Sequence, residues 1–442
     1  MKTLADTLII PSWLLTMEPD QPDPIEGFGL VIDHSEILEI GPVETLKQRY
    51  DTQETFYLDQ HILLPGLINA HTHSPMVFLR ALADDLRLER WLRDSIWPAE
   101  KALISKSFIE DGMRLAIAEM FKSGTTCINE HYFMPDVSAR VCSQLGMRAT
   151  IGLWLGDIET PWNPSIEHGF IKGAAYLKEA FQHDLIQYAW APHSPYLLDN
   201  SALEQLSTLI AEDPRPVHIH CHETAYEVEN SLRTLGMRPI ERLQTFDLLN
   251  SKTILVHMVE SIQEDLEHVL SAGSHIITCP KSNAKLASGH LNAHEVIKTG
   301  INLGIGTDSA ASNNALSILD ECRMLALSSK ITAQDPAALS AYQCLHAATL
   351  GNAAALGLSG VTGSLKAGKQ ADLIAINLDE LNTYPHHHPI AQLIYAVQTH
   401  QISHVWTQGI LRLKERSFTE IDESELKSLA HQWAQSTKDF IQ

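Results

Sequence analysis

The stretch Leu63-Leu64-Pro65-Gly66-Leu67-Ile68-Asn69-Ala70-His71-Thr72-His73-Ser74-Pro75 carries an apolar run directly into two histidines two residues apart. On extended backbone, side chains alternate between faces, so His71 and His73 share one face and can reach a common point. Pro65, Gly66 and Pro75 bound a short strand that stops abruptly. The pair therefore stands at the strand's carboxyl end, where barrel enzymes keep their chemistry. Two imidazoles at this spacing suit zinc or a related divalent ion. A chain with 23 His could equally hold an ordinary pair of turn histidines, so the decision rests on whether further ligands end later strands.

At 442 residues the chain exceeds what one simple core normally encloses, which favours a large barrel with an accessory unit. The 54 acidic and 32 basic residues give a net charge of −22, which argues against a nucleic-acid or anionic-membrane surface; solubility accounts for the excess. Six cysteines (Cys127, Cys142, Cys221, Cys279, Cys322 and Cys344) lie scattered with no Cys-x-x-Cys pair, as buried reduced thiols do. The N-terminal Met-Lys-Thr-Leu-Ala-Asp-Thr lacks the plan of a secretion signal, and no segment approaches the ~18 apolar residues of a membrane span. The expectation is a cytoplasmic protein without nucleic-acid or membrane partners, with self-association left open.

Between the chain ends, strands alternate with helical segments, the pattern of a parallel sheet. Eight strands are expected: 62–69, 125–129, 148–154, 186–191, 217–222, 253–257, 274–279 and 301–307. Eight closes a barrel. Helical spacing of apolar residues over 109–122, 202–212, 227–235, 262–272 and 316–328 supplies the returns. Short β-rich runs at 7–10, 29–33 and 37–40, and again at 371–377 and 404–413, predict a small sandwich built from both chain ends. The division is residues 1–61 and 363–442 for the sandwich, the latter with a terminal helix, and 62–362 for the barrel.

Polar residues follow several of these strands. His218-Ile219-His220-Cys221-His222-Glu223 ends the fifth, His257 the sixth, and Asp308 follows the eighth. His71, His73, His220 and Asp308 form a set of three nitrogens and one carboxylate, suited to one divalent ion with a position left for water. Zinc is the first choice, with iron or manganese accepting the same ligands. No lysine ends the fourth strand to bridge two metals. Glu223, three residues beyond His220, is placed to exchange protons with an activated water; as an alternative it is only a helix-start acid. His257 either hydrogen-bonds the same water or packs. His218 and His222 share the face of His220 and read as supporting or packing residues; the role of Glu130 is open.

These strings resemble the amidohydrolase superfamily, in the branch of methylthioadenosine/S-adenosylhomocysteine deaminases, guanine deaminases and triazine hydrolases. The resemblance spans 65–73, 97–100, 191–196, 218–224, 279–289, 306–314 and 368–374. It implies a (β/α)8 barrel with a composite β-sandwich, and hydrolytic deamination at C6 of an adenine nucleoside, first of all 5′-methylthioadenosine. By the same resemblance, Glu100 would bind the ribose hydroxyls, His193 a purine nitrogen, and Trp91 would wall the 5′ substituent. Glu223, His257 and Asp308 would serve proton transfer and orientation of the nucleophile. Two departures stand out. On that resemblance, Leu153 stands where relatives carry the arginine that holds a homocysteine carboxylate, and Ser309 where they carry glycine after the metal-binding aspartate. The alternatives are deamination of a free base such as guanine, triazine hydrolysis, and a metal-binding protein without catalysis. His386-His387-His388 between two prolines reads as a surface loop, because adjacent side chains diverge, and 422–440 reads as a packing helix opened by Asp422.

Overall fold

The computed structural model describes residues 2–441. The opening stretch proves to be two strands rather than one over 62–69. Tyr50–Pro65 belongs to a sheet made by the chain ends, and Leu67–Thr72 is the first barrel strand. Gly66 is the hand-over. Its N–H donates to Asp372 O at 3.0 Å, and a Cβ there would lie 2.1 Å from Thr126 Oγ1, so no larger residue fits between the two sheets. Proline before it cannot donate to the ladder, which ends the first sheet at that point.

The barrel sheet continues in chain order through Thr125–Glu130, Arg148–Leu155, Ile186–Pro192, Val217–Cys221, Thr253–His257, His275–Thr278 and Leu303–Ile305, all parallel. Alternating helices return the chain. Ser105, Ser165, Asp199 and Thr224 start four of them by accepting a backbone N–H, as short polar residues do at helix starts. The end sheet joins eight strands from both termini around one apolar core that includes Ile9, Leu30, Ile37, Leu58, Leu373 and Trp406. The run 404–413 is two strands, Ile402–Thr407 and Ile410–Lys414, broken by a turn at Gln408-Gly409. Helix Glu423–Ser436 is capped by Asp422 and packs against helix Lys106–Lys122. Among the described residues no helix is long and apolar enough to cross a membrane.

Closure between the eighth and first strands uses side chains where a ladder is thin. Asn69 receives Thr307 N–H and donates to Thr307 Oγ1, at 3.0 and 2.7 Å. Asn352 accepts from Ile305 N and donates to Ile68 O and Ile305 O, at 2.8, 2.6 and 2.8 Å. Asp308 N then bonds His71 O at 3.0 Å. Gly306 permits that approach, since a Cβ would meet His71 backbone atoms at 2.8 Å. Removing Asn352 leaves three buried backbone groups short of a partner. Asn352→Ala should lower unfolding free energy by about 3 kcal/mol in urea denaturation, and a loss under about 0.5 kcal/mol would mean that the seam closes without it.

Candidate metal centre and its cavity

The ends of the barrel strands are tied to one another beyond the regular ladder. His131 N bonds Thr72 O, His193 N bonds Leu155 O, and His220 N bonds His193 O. This rim fixes the backbones from which His71, His73, His220 and Asp308 project. His71 Nε2 and His73 Nε2 lie 3.5 and 3.3 Å from Asp308 Oδ1, and His220 Nε2 lies 3.2 Å from His71 Nε2. Four donors about 2.0–2.1 Å from a central ion stand about 3.3–3.4 Å apart along tetrahedral edges. The three observed separations, 3.2–3.5 Å, lie close to that figure, so these four side chains would suit a single divalent ion, which could take a water as a further ligand.

The far side of each ring supports the same assignment. His73 Nδ1 meets His131 O at 2.5 Å and His220 Nδ1 meets His193 O at 2.5 Å. A carbonyl only accepts, so both Nδ1 atoms carry a proton, which leaves Nε2 as the atom of each ring that would offer its lone pair to an ion. His71 Nδ1 contacts His218 Nε2 at 2.8 Å, which places His218 behind the cluster rather than in it. Asp308 receives Ser282 and Ser312 hydroxyls on Oδ2, at 2.6 and 3.0 Å, and Ser309 N on Oδ1 at 2.8 Å. The Ser309 hydroxyl caps Ser312 N at 3.0 Å, an ordinary local role.

Beside the donors, His257 Nδ1 is held by Asn283 Oδ1 at 2.8 Å, and His257 Nε2 stands 3.7 Å from Glu223 Oε2, beyond hydrogen-bond length. Both side chains face the cavity that also exposes His73, His220 and Asp308. Burial, with the charge of Asp308 adding, pushes the Glu223 carboxyl up to about 8. A divalent charge among the neighbouring donors would draw it back toward neutrality, a range suited to proton transfer.

The same cavity takes in Trp91, Glu100 and His193. The segment covering it consists of short helices Leu88–Trp91, Leu92–Ile96 and Trp97–Leu103, which turn Trp91 and Glu100 inward. Trp91 donates its indole N–H to Ala83 O at 3.1 Å. Glu100 accepts from Tyr132 OH at 2.6 Å, while burial pushes its carboxyl up to about 7. Burial, helped by His73 and His71, drives His193 down to about 3, so its ring is neutral. Ile96, Phe133, Trp154, Ile158 and Leu286 complete an apolar wall, and no Lys or Arg lines this cavity among the described residues.

Several residues stand differently from the sequence reading. Leu153 does not face the cavity; it packs in the barrel's outer core near Gly173, and Trp154 takes the inward face. Strand alternation decides this, and a one-residue offset reverses it. His131, not singled out in the sequence, lies fully buried within the histidine cluster, 4.8 Å between ring centroids from His220. It follows a strand end as the other histidines do, a signal that was present. Tyr132 also went unnoticed. Glu130 accepts Ser74 N at 3.1 Å and so holds the turn after His73. His222 receives Ile240 N at 3.2 Å, away from the donor set. His386, His387 and His388 diverge: His386 donates to Leu378 O, and His388 caps helix Pro389–Tyr395.

Fold and site together define a metal-dependent hydrolase of the barrel type, and residues 62–411 match the amidohydrolase family; the chain belongs to that family. It is 38% identical over 431 residues to a 5-methylthioadenosine/S-adenosylhomocysteine deaminase of Teredinibacter turnerae, covering 98% of this chain and 97% of that one. An adenosine deaminase from Xanthomonas campestris, solved with bound zinc, superposes with a TM-score of 0.97 at 39% identity, covering 99% of this chain and 100% of that one. The atrazine chlorohydrolase of Arthrobacter aurescens shares the fold at a TM-score of 0.88 but only 20% identity, covering 97% of this chain and 100% of that one.

Stripping the protein with a chelator should lower its unfolding temperature, and zinc should restore it at one ion per chain. An ion at about a thousand times its Kd adds about 4 kcal/mol. His220→Ala should take up far less than one equivalent by elemental analysis; full occupancy in that variant would remove His220 from the donor set.

Proposed function

We propose that the protein is a hydrolytic deaminase of adenine nucleosides, with 5′-methylthioadenosine preferred, yielding 5′-methylthioinosine and ammonia, and that His71, His73, His220 and Asp308 hold one divalent ion, zinc first of all. The observation that carries this reading is the cavity in which His73, His220 and Asp308 of that set, the buried Glu223 and the Tyr132-held Glu100 face one another. Bound there, the ion supplies Lewis acidity that brings water ionisation toward neutral pH. Glu223 takes the proton of the attacking water and delivers it to ring N1. His257, fixed by Asn283, hydrogen-bonds the nucleophile at C6, and Asp308 assists protonation of the departing ammonia. His193, neutral, meets a purine ring nitrogen, and Glu100 accepts both ribose hydroxyls. The apolar wall suits a methylthio group. No Lys or Arg among the described residues lines this cavity itself, and a homocysteine carboxylate would have to reach Lys101 or Arg93 in the adjoining hollows, so kcat/KM should be lower for S-adenosylhomocysteine than for methylthioadenosine. That argument rests on the lining as a whole and no longer on Leu153.

Glu223→Ala should keep the ion yet lose at least 100-fold in kcat for ammonia release; near-normal turnover would reject its role. For Glu100, the neutral acid prevails below about pH 7 and the carboxylate above it. KM for a nucleoside should therefore fall as pH rises through about 7, and flatten beyond. Glu100→Gln should raise KM about 10- to 100-fold, the equivalent of about 1.5–3 kcal/mol for a charged hydrogen bond, and should abolish that pH dependence. A free base or triazine has no diol, so unchanged KM in Glu100→Gln would favour those substrates.

A further inference from the structure

The turn that carries Glu223 has an unusual support. His222 adopts φ +53°, in the left-handed region, and the chain then passes through Glu223 to Thr224, which starts helix Ala225–Leu235. Glu227 is the third residue of that helix, and its N–H is received by Thr224 Oγ1 at 3.2 Å. At this position an acidic side chain ordinarily reaches back to the N–H of the capping residue. Glu241 does so to Arg238 N at 2.6 Å, and Asp265 to Ile262 N at 2.8 Å. Glu227 instead passes over Thr224 and takes the two preceding N–H groups, His222 N at 3.1 Å and Glu223 N at 2.8 Å.

The consequence falls on Glu223. Its carboxylate receives no hydrogen bond from the described residues, and the His257 ring stands off at 3.7 Å. Where that carboxylate stands is therefore set by the backbone on which it is mounted. Glu260 N holds His222 O at 2.9 Å and Ile240 N holds the His222 ring, so one side of the turn is fixed from the following strand and helix. The other side is fixed by Glu227 alone, which is itself buried. A displacement of about 1 Å in a proton-transfer group can cost about 100-fold in rate.

We propose that Glu227 is a positioning residue for the reaction: by clamping the N–H groups of His222 and Glu223, it holds the Glu223 carboxylate against the nucleophile without touching substrate or metal. This rests on the role assigned above to Glu223. Glutamine offers one acceptor oxygen in place of two and points an N–H₂ at the remaining donor, so Glu227→Gln should lower kcat at least 10-fold. KM should stay within about threefold and the ion at one per chain, because neither the diol site nor the donor set has moved. Gln343→Ala, which removes the same kind of contact (Ser340 N to Gln343 Oε1, 2.8 Å) at the start of helix Ala341–His346, away from the cavity and from this turn, should shift the unfolding temperature without changing kcat. A Glu227→Gln protein with lowered unfolding temperature but wild-type kcat would overturn the proposal, as would parallel loss of metal. Should that variant not fold, Glu227→Asp, which keeps the charge but shortens the reach, must show the same kcat loss; failure of both to fold makes the residue structural and overturns the proposal. If the wild-type protein does not deaminate methylthioadenosine, the substrate reading fails separately, and the same comparison is made on whichever purine it does turn over.

Discussion

The seam between the last and first strands of the barrel is the constraint on which the site depends. Asp308 reaches the neighbourhood of His71 and His73 only because its own N–H is bonded to His71 O, and because Gly306 leaves room for the two backbones to meet. Strand Leu303–Ile305 is short, and its pairing with the first strand is completed by the amides of Asn69 and Asn352. A buried N–H or C=O without a partner is costly, so the barrel closes where those amides can serve it. A donor set drawn from the first, fifth and eighth strands is then a product of closure itself.

Around that seam the protein concentrates burial, neutral histidines and backbone strain. His71, His193, His218 and His220 are all shifted down by burial, with neighbouring histidines adding, so these four rings are neutral; His73 is the exception, because burial is outweighed there by its contact with Asp308, which holds it above the usual histidine range. His222, His257 and Asp308 carry positive φ values of 53°, 75° and 60°, in a region that costs non-glycine residues about 1 kcal/mol or more. Each sits at the end of a barrel strand and each is held by bonds to a neighbouring segment. Strain of this kind turns the chain sharply off the strand, which directs His257 and Asp308 across the cavity.

The elements most legible in sequence were those with strong periodicity. Thr253–His257 has the expected bounds, and the helices after the first, fourth and sixth strands follow the expected apolar spacing to within a few residues. Pro65-Gly66 was read as a boundary of one strand, whereas it joins two; a hand-over between sheets and the start of a strand have the same composition, and only the position of Thr126 tells them apart. Leu153 falls one residue out of phase with the cavity; a strand buried at every position, as Arg148–Leu155 is, offers no alternation of exposure from which to choose its inward face.

The sequence by itself determined the chemistry of the ends: His-x-His on an apolar strand, His-x-His-x-His-Glu, and Gly-Thr-Asp each carry spacing set by local backbone geometry, which a linear pattern can express. The tertiary structure alone decided which polar groups support them. Asn352 serves backbone 284 residues away, His218 backs His71 across 147 residues, and Tyr132 meets Glu100 from 32 residues away. Such partners share no period and no motif; they are selected by the requirement that buried polar groups be satisfied, and that requirement acts only once the barrel has closed.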